Sequence, residues 1–252
     1  MTRIGSLLKL GADRTLYMGS VESTSWHRHG APVLLIALGG EFRIEFRNGQ
    51  TESCRSAFVD IHVEHKFTYQ GERFAAIFLE PDAPELVGLR RQFLWEDSAA
   101  HNLAAFDLVA IPRSRRRFEQ RLQTFDWDGL LRSPLRDRRP TQLDERVARA
   151  LPVLRVLPQD RVERAKLAAC LGLSESRFNH LFSEQAGICF RRYRLWSQLR
   201  STLAQLSGHH NFTAAALQGG FADSSHFSRV FRDMVGTTPS AVLKRGSLIE
   251  RI

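Results

Sequence analysis

Between Thr15 and Glu80, apolar and polar positions alternate or cluster in short runs bounded by turn residues, the spacing of β-strands. The runs predict strands over Leu16 to Val21, Pro32 to Leu38, Glu41 to Arg47, Ser56 to Ile61, His65 to Tyr69 and Arg73 to Glu80. The clearest is Glu41 to Arg47, where Phe42, Ile44 and Phe46 fall on one face and the charges on the other, as a half-buried antiparallel strand requires. Gly39-Gly40 and Asn48-Gly49 have hairpin chemistry, and Gln70-Gly71-Glu72 marks a third turn. Short strands punctuated in this way predict a small β-barrel.

After Pro81 the period lengthens. Leu86, Leu89, Phe93 and Leu94 predict one helical face, Leu103, Phe106 and Leu108 a second, and Ser114 to Thr124 a basic amphipathic helix. The stripe Phe118, Leu122 and Phe125 on that helix is expected to make a homodimer contact within residues 83–125. Leu131 to Pro140 is rich in Arg and punctuated by Pro, and reads as a connection. Beyond Thr141 the pattern is helical throughout: Leu143 to Leu157 with a disturbance at Pro152, Arg164 to Leu171, Glu175 to Gln185, Phe190 to Leu206, Thr213 to Gln218, Ser224 to Val235, and a last helix from Pro239. The fold class is therefore multidomain α+β, with a β-barrel over residues 1–110, a basic linker over 111–140 and an all-α domain over 141–252.

Composition narrows the partners. A chain of 252 residues with 43% apolar residues and a net charge of +9 is expected to fold around a core. Its longest apolar run, Ala31 to Leu38, is far short of the ~20 residues of a membrane span, and the N-terminus shows no secretory apolar stretch, so a cytoplasmic location without membrane partners is expected. Cys54, Cys170 and Cys189 show no C-x-x-C spacing, which predicts neither a disulfide framework nor a zinc site. Charge is unevenly spread: residues 1–110 carry 11 basic and 14 acidic side chains, 111–140 carry 9 and 4, and 141–252 carry 16 and 9. A basic helical half points to a polyanion.

Within that half, Ala168 to Phe182 resembles Ala215 to Phe231. Phe178 and Phe182 match Phe227 and Phe231 at an offset of 49, and Gly172 matches Gly220 at 48. Each copy is a short helix, a glycine turn, a Ser or Asp cap and a second helix, which is a helix-turn-helix. With Phe178, Leu181 and Phe182 facing inward, Ser176, Arg177, Asn179 and His180 face out; with Phe227, Val230 and Phe231 inward, Ser224, Ser225, His226, Ser228 and Arg229 face out. These side chains are of the types that read base edges. Arg191 and Arg192 are expected to grip phosphate. The helix between the copies would be roughly 25 Å long, a spacer suited to adjacent major grooves.

The residues Leu167-Ala168, Leu171-Gly172-Leu173-Ser174, Leu181-Phe182, Gly187, Phe190-x-x-Tyr193, Arg200, Ala215-Ala216, Gly220-Phe221, Asp223-Ser224, Phe227-Ser228-Arg229-x-Phe231-Arg232 and Gly236-x-x-Pro239 resemble the DNA-binding domain of AraC/XylS transcription regulators. The resemblance implies binding to double-stranded promoter DNA, contact with RNA polymerase, and a cupin-like N-terminal domain that senses a small-molecule effector or dimerises.

Trp26-His27-Arg28-His29, and later Ala57 to Asp60 with His65, resemble the two half-motifs of a cupin barrel. Metal-binding cupins add a Glu, and here Pro32, Val33 and Leu34 occupy its place. The expectation is a sensor without cofactor or metal, His27, His29 and His65 being only weak ligand candidates, and with an effector pocket lined by Trp26, His27, His29, Phe42, Ile44, Phe46, His65 and Phe78. The competing reading is a cupin-type metal-dependent dioxygenase or isomerase with a helical appendage. It leaves two recognition-type helices and most of the positive charge without a purpose. An RNA-binding or scaffolding role lacks exposed aromatic platforms in the basic half.

Overall fold

The computed structural model describes residues 6–61, 63–83, 86, 90, 103–105, 143–156, 163–206, 211–243 and 247–251. The expected linker over 111–140 and the dimer stripe Phe118, Leu122 and Phe125 lie outside them. No helix among the described residues is long and apolar enough to cross a membrane.

The front of the chain forms β1 (Leu7–Leu10), β2 (Arg14–Gly19), β3 (Val33–Ala37), β4 (Phe42–Phe46), β5 (Thr51–Cys54), β6 (Ser56–Val59), β7 (His65–Tyr69), β8 (Phe74–Leu79) and β9 (Leu103–Ala105). The barrel expected from the strand count is instead two sheets that do not close. One has the order β10-β1-β2-β8-β3-β6-β9 and the other β5-β4-β7, where β10 is Leu248–Arg251. Asn48-Gly49 does make the expected hairpin, with Gly49 at φ 86° between β4 and β5. The other two turns do not: Gly39-Gly40 carries the chain from β3 in one sheet to β4 in the other, and Gln70 to Glu72 carries it back. These crossings meet, and the Tyr69 hydroxyl donates to the carbonyls of Gly39 and Arg73 at their junction. A Cβ at Gly40, whose φ is 75°, would lie 2.3 Å from the Gln70 carbonyl oxygen, so only glycine fits there.

The helices are α1 (Glu145–Val156), α2 (Arg164–Cys170), α3 (Glu175–Ala186), α4 (Phe190–Gln205), α5 (Phe212–Gln218), α6 (Ser224–Val235) and α7 (Pro239–Val242), all within two residues of expectation. α1 runs unbroken through Pro152, which is on its exposed side. Two expectations fail. Leu103, placed in a helix by its apolar spacing, is in β9, where it extends the sheet beyond β6. The helical half is also not all α: β10 pairs in parallel with β1, Leu7 opposite Leu248 and Leu10 opposite Arg251. In both cases an open sheet edge offers backbone partners that outweigh weak local propensity.

The two halves share one apolar core. Phe78 of β8 and Trp196 of α4 have ring centroids 5.2 Å apart, and the same buried cluster runs from Phe42 and Phe74 to Phe182 and Phe231.

Candidate nucleic-acid interface and the seam behind it

Both helix-turn-helix units form as their sequences demand. Gly172 and Gly220 turn the chain at φ 69° and 88°, values that side chains with a Cβ resist. The Ser174 hydroxyl then accepts the Arg177 amide at 3.2 Å, and the Asp223 carboxylate accepts that of His226 at 2.7 Å, capping α3 and α6. Each recognition helix ends on a left-handed glycine, Gly187 or Gly236. Phe178, Leu181 and Phe182 are buried beneath α3, as are Phe227 and Phe231 beneath α6, with Val230 half-buried against the same core. α4 packs against α3, α5 and α6.

On α3, Ser176, Arg177 and His180 are exposed and Asn179 is half-buried beside the core position Phe178. His180 Nδ1 lies 3.6 Å from the Glu184 carboxylate. On α6, Ser225 and Arg229 are exposed, while Ser224 and Ser228 are half-buried. His226 turns partly inward, its ring edge-on to Phe221 at 5.2 Å, and so offers less to a groove than its register implies. Arg191 is exposed, but Arg192 departs from expectation. Its guanidinium is 2.9 Å from the Asp233 carboxylate and donates to the Arg28 carbonyl, so it joins the two halves and is not free for phosphate.

Behind the recognition helices is a polar seam. The Glu80 carboxylate, 1% exposed at the end of β8, accepts hydrogen bonds from Tyr193 at 2.7 Å, Trp196 at 2.8 Å and Arg200 at 2.6 Å, with Arg155 at 3.5 Å. Burial alone would raise its pKa; the Arg200 and Arg155 guanidinium groups outweigh burial and hold it below the ordinary 4.5. A second contact involves residues 25–29, which take the carbonyls left open at the end of α6. The Ser25 amide and hydroxyl donate to Gly236 O at 2.7 and 2.8 Å, and the Arg28 amide to Asp233 O at 3.2 Å.

Between the seam contacts lies a cavity of about 60 Å³. Of the expected pocket residues only His29 and Phe78 line it; its opposite wall is Trp196, Leu199, Leu203 and Phe231 from α4 and α6. Phe42 instead packs against Phe67, Tyr69 and Phe74 at 4.8 to 5.5 Å, and Ile44 and Phe46 are buried in the same core. Trp26 is at the surface, with the Arg47 guanidinium 4.2 Å from its ring centroid. The cavity thus runs from the front domain's own interior, where Tyr17, Leu35, Phe67, Phe74 and Ala76 also line it, to the helices. His27, His29 and His65 come together as their spacing suggests, 3%, 2% and 0% exposed. Burial pushes His27 down to about 4 and His65 to about 3, and His29 well below its ordinary value, so all three are neutral.

Comparison with known proteins agrees with this geometry. A family described as a helix-turn-helix domain matches residues 167–245. The invasion protein InvF of Salmonella typhi and of Salmonella typhimurium is 32% identical to this chain over 69 residues. Both helix-turn-helix units fall largely within the family match. The InvF match takes in 27% of this chain and 32% of InvF, so the chain spans about a third of those relatives. ToxT from Vibrio cholerae O395 shares the fold over 92% of this chain and 98% of its own, with a TM-score of 0.53 and 13% identity. ToxT of strain SCE256, solved with an unsaturated fatty acid bound, covers 92% and 95% with a TM-score of 0.52 and 13% identity. The likeness of fold therefore includes the two-sheet front domain as well as the helix-turn-helix half.

Two features of the interface and its seam carry no clear local signal in the sequence. Arg232 is exposed on α6, seven residues beyond Ser225 and three beyond Arg229, and i, i+4, i+7 spacing puts it on their face. Glu80 gave no signal, because its partners are more than a hundred residues away in the chain.

Proposed function

We propose that the protein is a sequence-specific, duplex-DNA-binding transcription regulator whose front domain receives a small apolar effector. The observation that carries this is the pair of capped recognition helices, polar on their outer faces, braced by the single helix α4. Ser176, Arg177, Asn179 and His180 on α3, and Ser225, Arg229 and Arg232 on α6, are the side chains assigned to the duplex. Arg191, exposed at the start of α4, is assigned to phosphate. A homodimer through residues 83–125 and contact with RNA polymerase are parts of the same proposal, supported by the family resemblance.

The effector class follows from the cavity. Its walls are apolar and its polar groups few, and ToxT has been solved with a fatty acid. At about 60 Å³ the space is smaller than the roughly 150 Å³ that holds a benzene. An effector of ordinary size must therefore separate Phe78 from Trp196 and act on the contact between the front domain and α4. The enzyme reading has less support, because the three histidines are buried, 3%, 2% and 0% exposed, beside the end of α6.

The test is a fluorescence-anisotropy titration of the full chain against labelled duplexes at several salt concentrations. Binding should weaken steeply as salt rises, as phosphate contacts require. No affinity for any duplex at low salt would remove the proposal.

A further inference from the structure

His27, His29 and His65 meet where residues 25–29 run under the end of α6. Their ring centroids are 4.4 to 4.9 Å apart, and one ring nitrogen from each lies within 4.8 Å of the others. The backbone fixes this grouping. The His27 amide donates to the His65 carbonyl at 3.0 Å and the reverse bond is 3.1 Å, setting those residues opposite each other, while the two-residue period turns His29 to the side of His27.

The hydrogen bonds decide which nitrogen carries the proton. Nδ1 of His27 is 2.9 Å from the Ser25 carbonyl, that of His29 2.9 Å from the Met234 carbonyl, and that of His65 3.1 Å from the Val63 carbonyl. A carbonyl oxygen only accepts, so each Nδ1 is the donor and each Nε2 keeps a bare lone pair. All three Nε2 atoms are buried without a hydrogen-bond partner. Three acceptors gathered in one buried place, with no protein donor facing them among the described residues, repel one another. A single divalent cation satisfies them together.

We propose that His27, His29 and His65 bind one divalent transition-metal ion through Nε2, and that the ion fastens the front domain to the second recognition helix. Neutral imidazoles without carboxylate or thiolate select zinc, cobalt, nickel or iron over magnesium or calcium. Metal–nitrogen bonds of about 2.1 Å set the nitrogens roughly 3.4 Å apart in a tetrahedral site, which small ring rotations reach. The guanidinium of Arg192 is the cation that bears on His27 and His29, and its charge is met by Asp233. Each ligand has the carbonyl support that orients metal-bound imidazoles. For His29 that support is Met234 of α6, so binding at Nε2 strengthens a bond to the recognition helix. The Glu missing from the cupin-like pattern does not dismantle the site, because three imidazoles can hold a zinc-type ion whose fourth position is taken by a water.

The test uses the metal-free full chain titrated with Co²⁺. One equivalent should bind and give the visible ligand-field absorption of a low-coordinate ion, displaced by Zn²⁺. Its proton spectrum should show three paramagnetically shifted imidazole N–H signals that vanish in D₂O. His65→Gln should lower cobalt affinity by about 100-fold or more, while the double variant Cys170→Ser/Cys189→Ser, which removes the two exposed thiols, should bind as the parent does. Filling the site should slow amide exchange at residues 233–236 at least about tenfold. Absence of stoichiometric binding, or binding without the three N–H signals, would overturn the site whether or not the His65 variant folds. Unchanged exchange at 233–236 with the site filled would overturn the link to α6.

Discussion

Glu80→Ala is the substitution that most directly probes how the two halves are joined. The carboxylate is buried and accepts from Tyr193, Trp196 and Arg200, all on α4, with Arg155 of α1 beside it. Removing it leaves Arg200 with Thr15 Oγ1 and the Gly11 carbonyl but no counter-charge, and leaves the Tyr193 hydroxyl and Trp196 indole without their acceptor. Arg155 keeps Asp82, which discounts its share. Breaking one partner of a buried ion pair costs about 3–5 kcal/mol. For a chain of this size each kcal/mol lowers Tm by about 2–4 °C, so a fall on the order of 10 °C is expected. Urea titration and thermal melts read the loss, and Glu80→Ala/Arg200→Ala should lose far less than the two single variants added together. A loss below about 1 kcal/mol, or strict additivity, would refute the seam. The pH dependence has a definite sign. Because the folded carboxyl is held below 4.5, its stabilisation is complete above that pH and is lost as pH falls from 4.5 toward the folded value. The parent and Glu80→Gln stability curves should therefore approach each other in that acid range and run parallel above it.

Ser174→Ala and Asp223→Ala should each cost about 1 kcal/mol by urea titration; parent-like curves for both would show that neither side chain caps its helix. Asn179→Ala should cost roughly 1–3 kcal/mol of duplex binding and relax preference at one base position, which comparison of selected binding sites would detect. Arg191→Ala should instead weaken all duplexes alike and reduce the slope of log affinity against log salt by about one. Leu203→Ala should enlarge the cavity, cost about 2–5 kcal/mol and allow a small apolar probe to restore part of the lost Tm; no recovery with any apolar probe would argue against ligand occupancy there.

The helical half was legible because its signals are local. Gly172, Ser174 and Gly187, and again Gly220, Asp223 and Gly236, mark every boundary of the two recognition helices, and the phenylalanine pairs fix which face is buried. Phe42, Ile44 and Phe46 likewise announced β4. What remained hidden depends on distant partners. Leu248 to Arg251 becomes a strand only because β1 presents an open edge, and Gly39-Gly40 reads as a hairpin until Tyr69 ties it to the neighbouring crossing. The front domain's aromatics suggest an effector pocket of their own, yet part of the cavity's wall comes from α4 and α6. The charge of Arg192 points to DNA in the sequence, but Asp233 and the Arg28 carbonyl engage it in the fold.

Selection of duplexes from a random pool by the full chain is the most direct test of the regulator reading. Two helix-turn-helix units fixed on α4 should enrich sites with two short conserved blocks one helical turn apart, about 10 base pairs centre to centre. Substitutions on α3 should alter one block and those on α6 the other. A pool that emerges unenriched, or enriched for a single block insensitive to both helices, would contradict it.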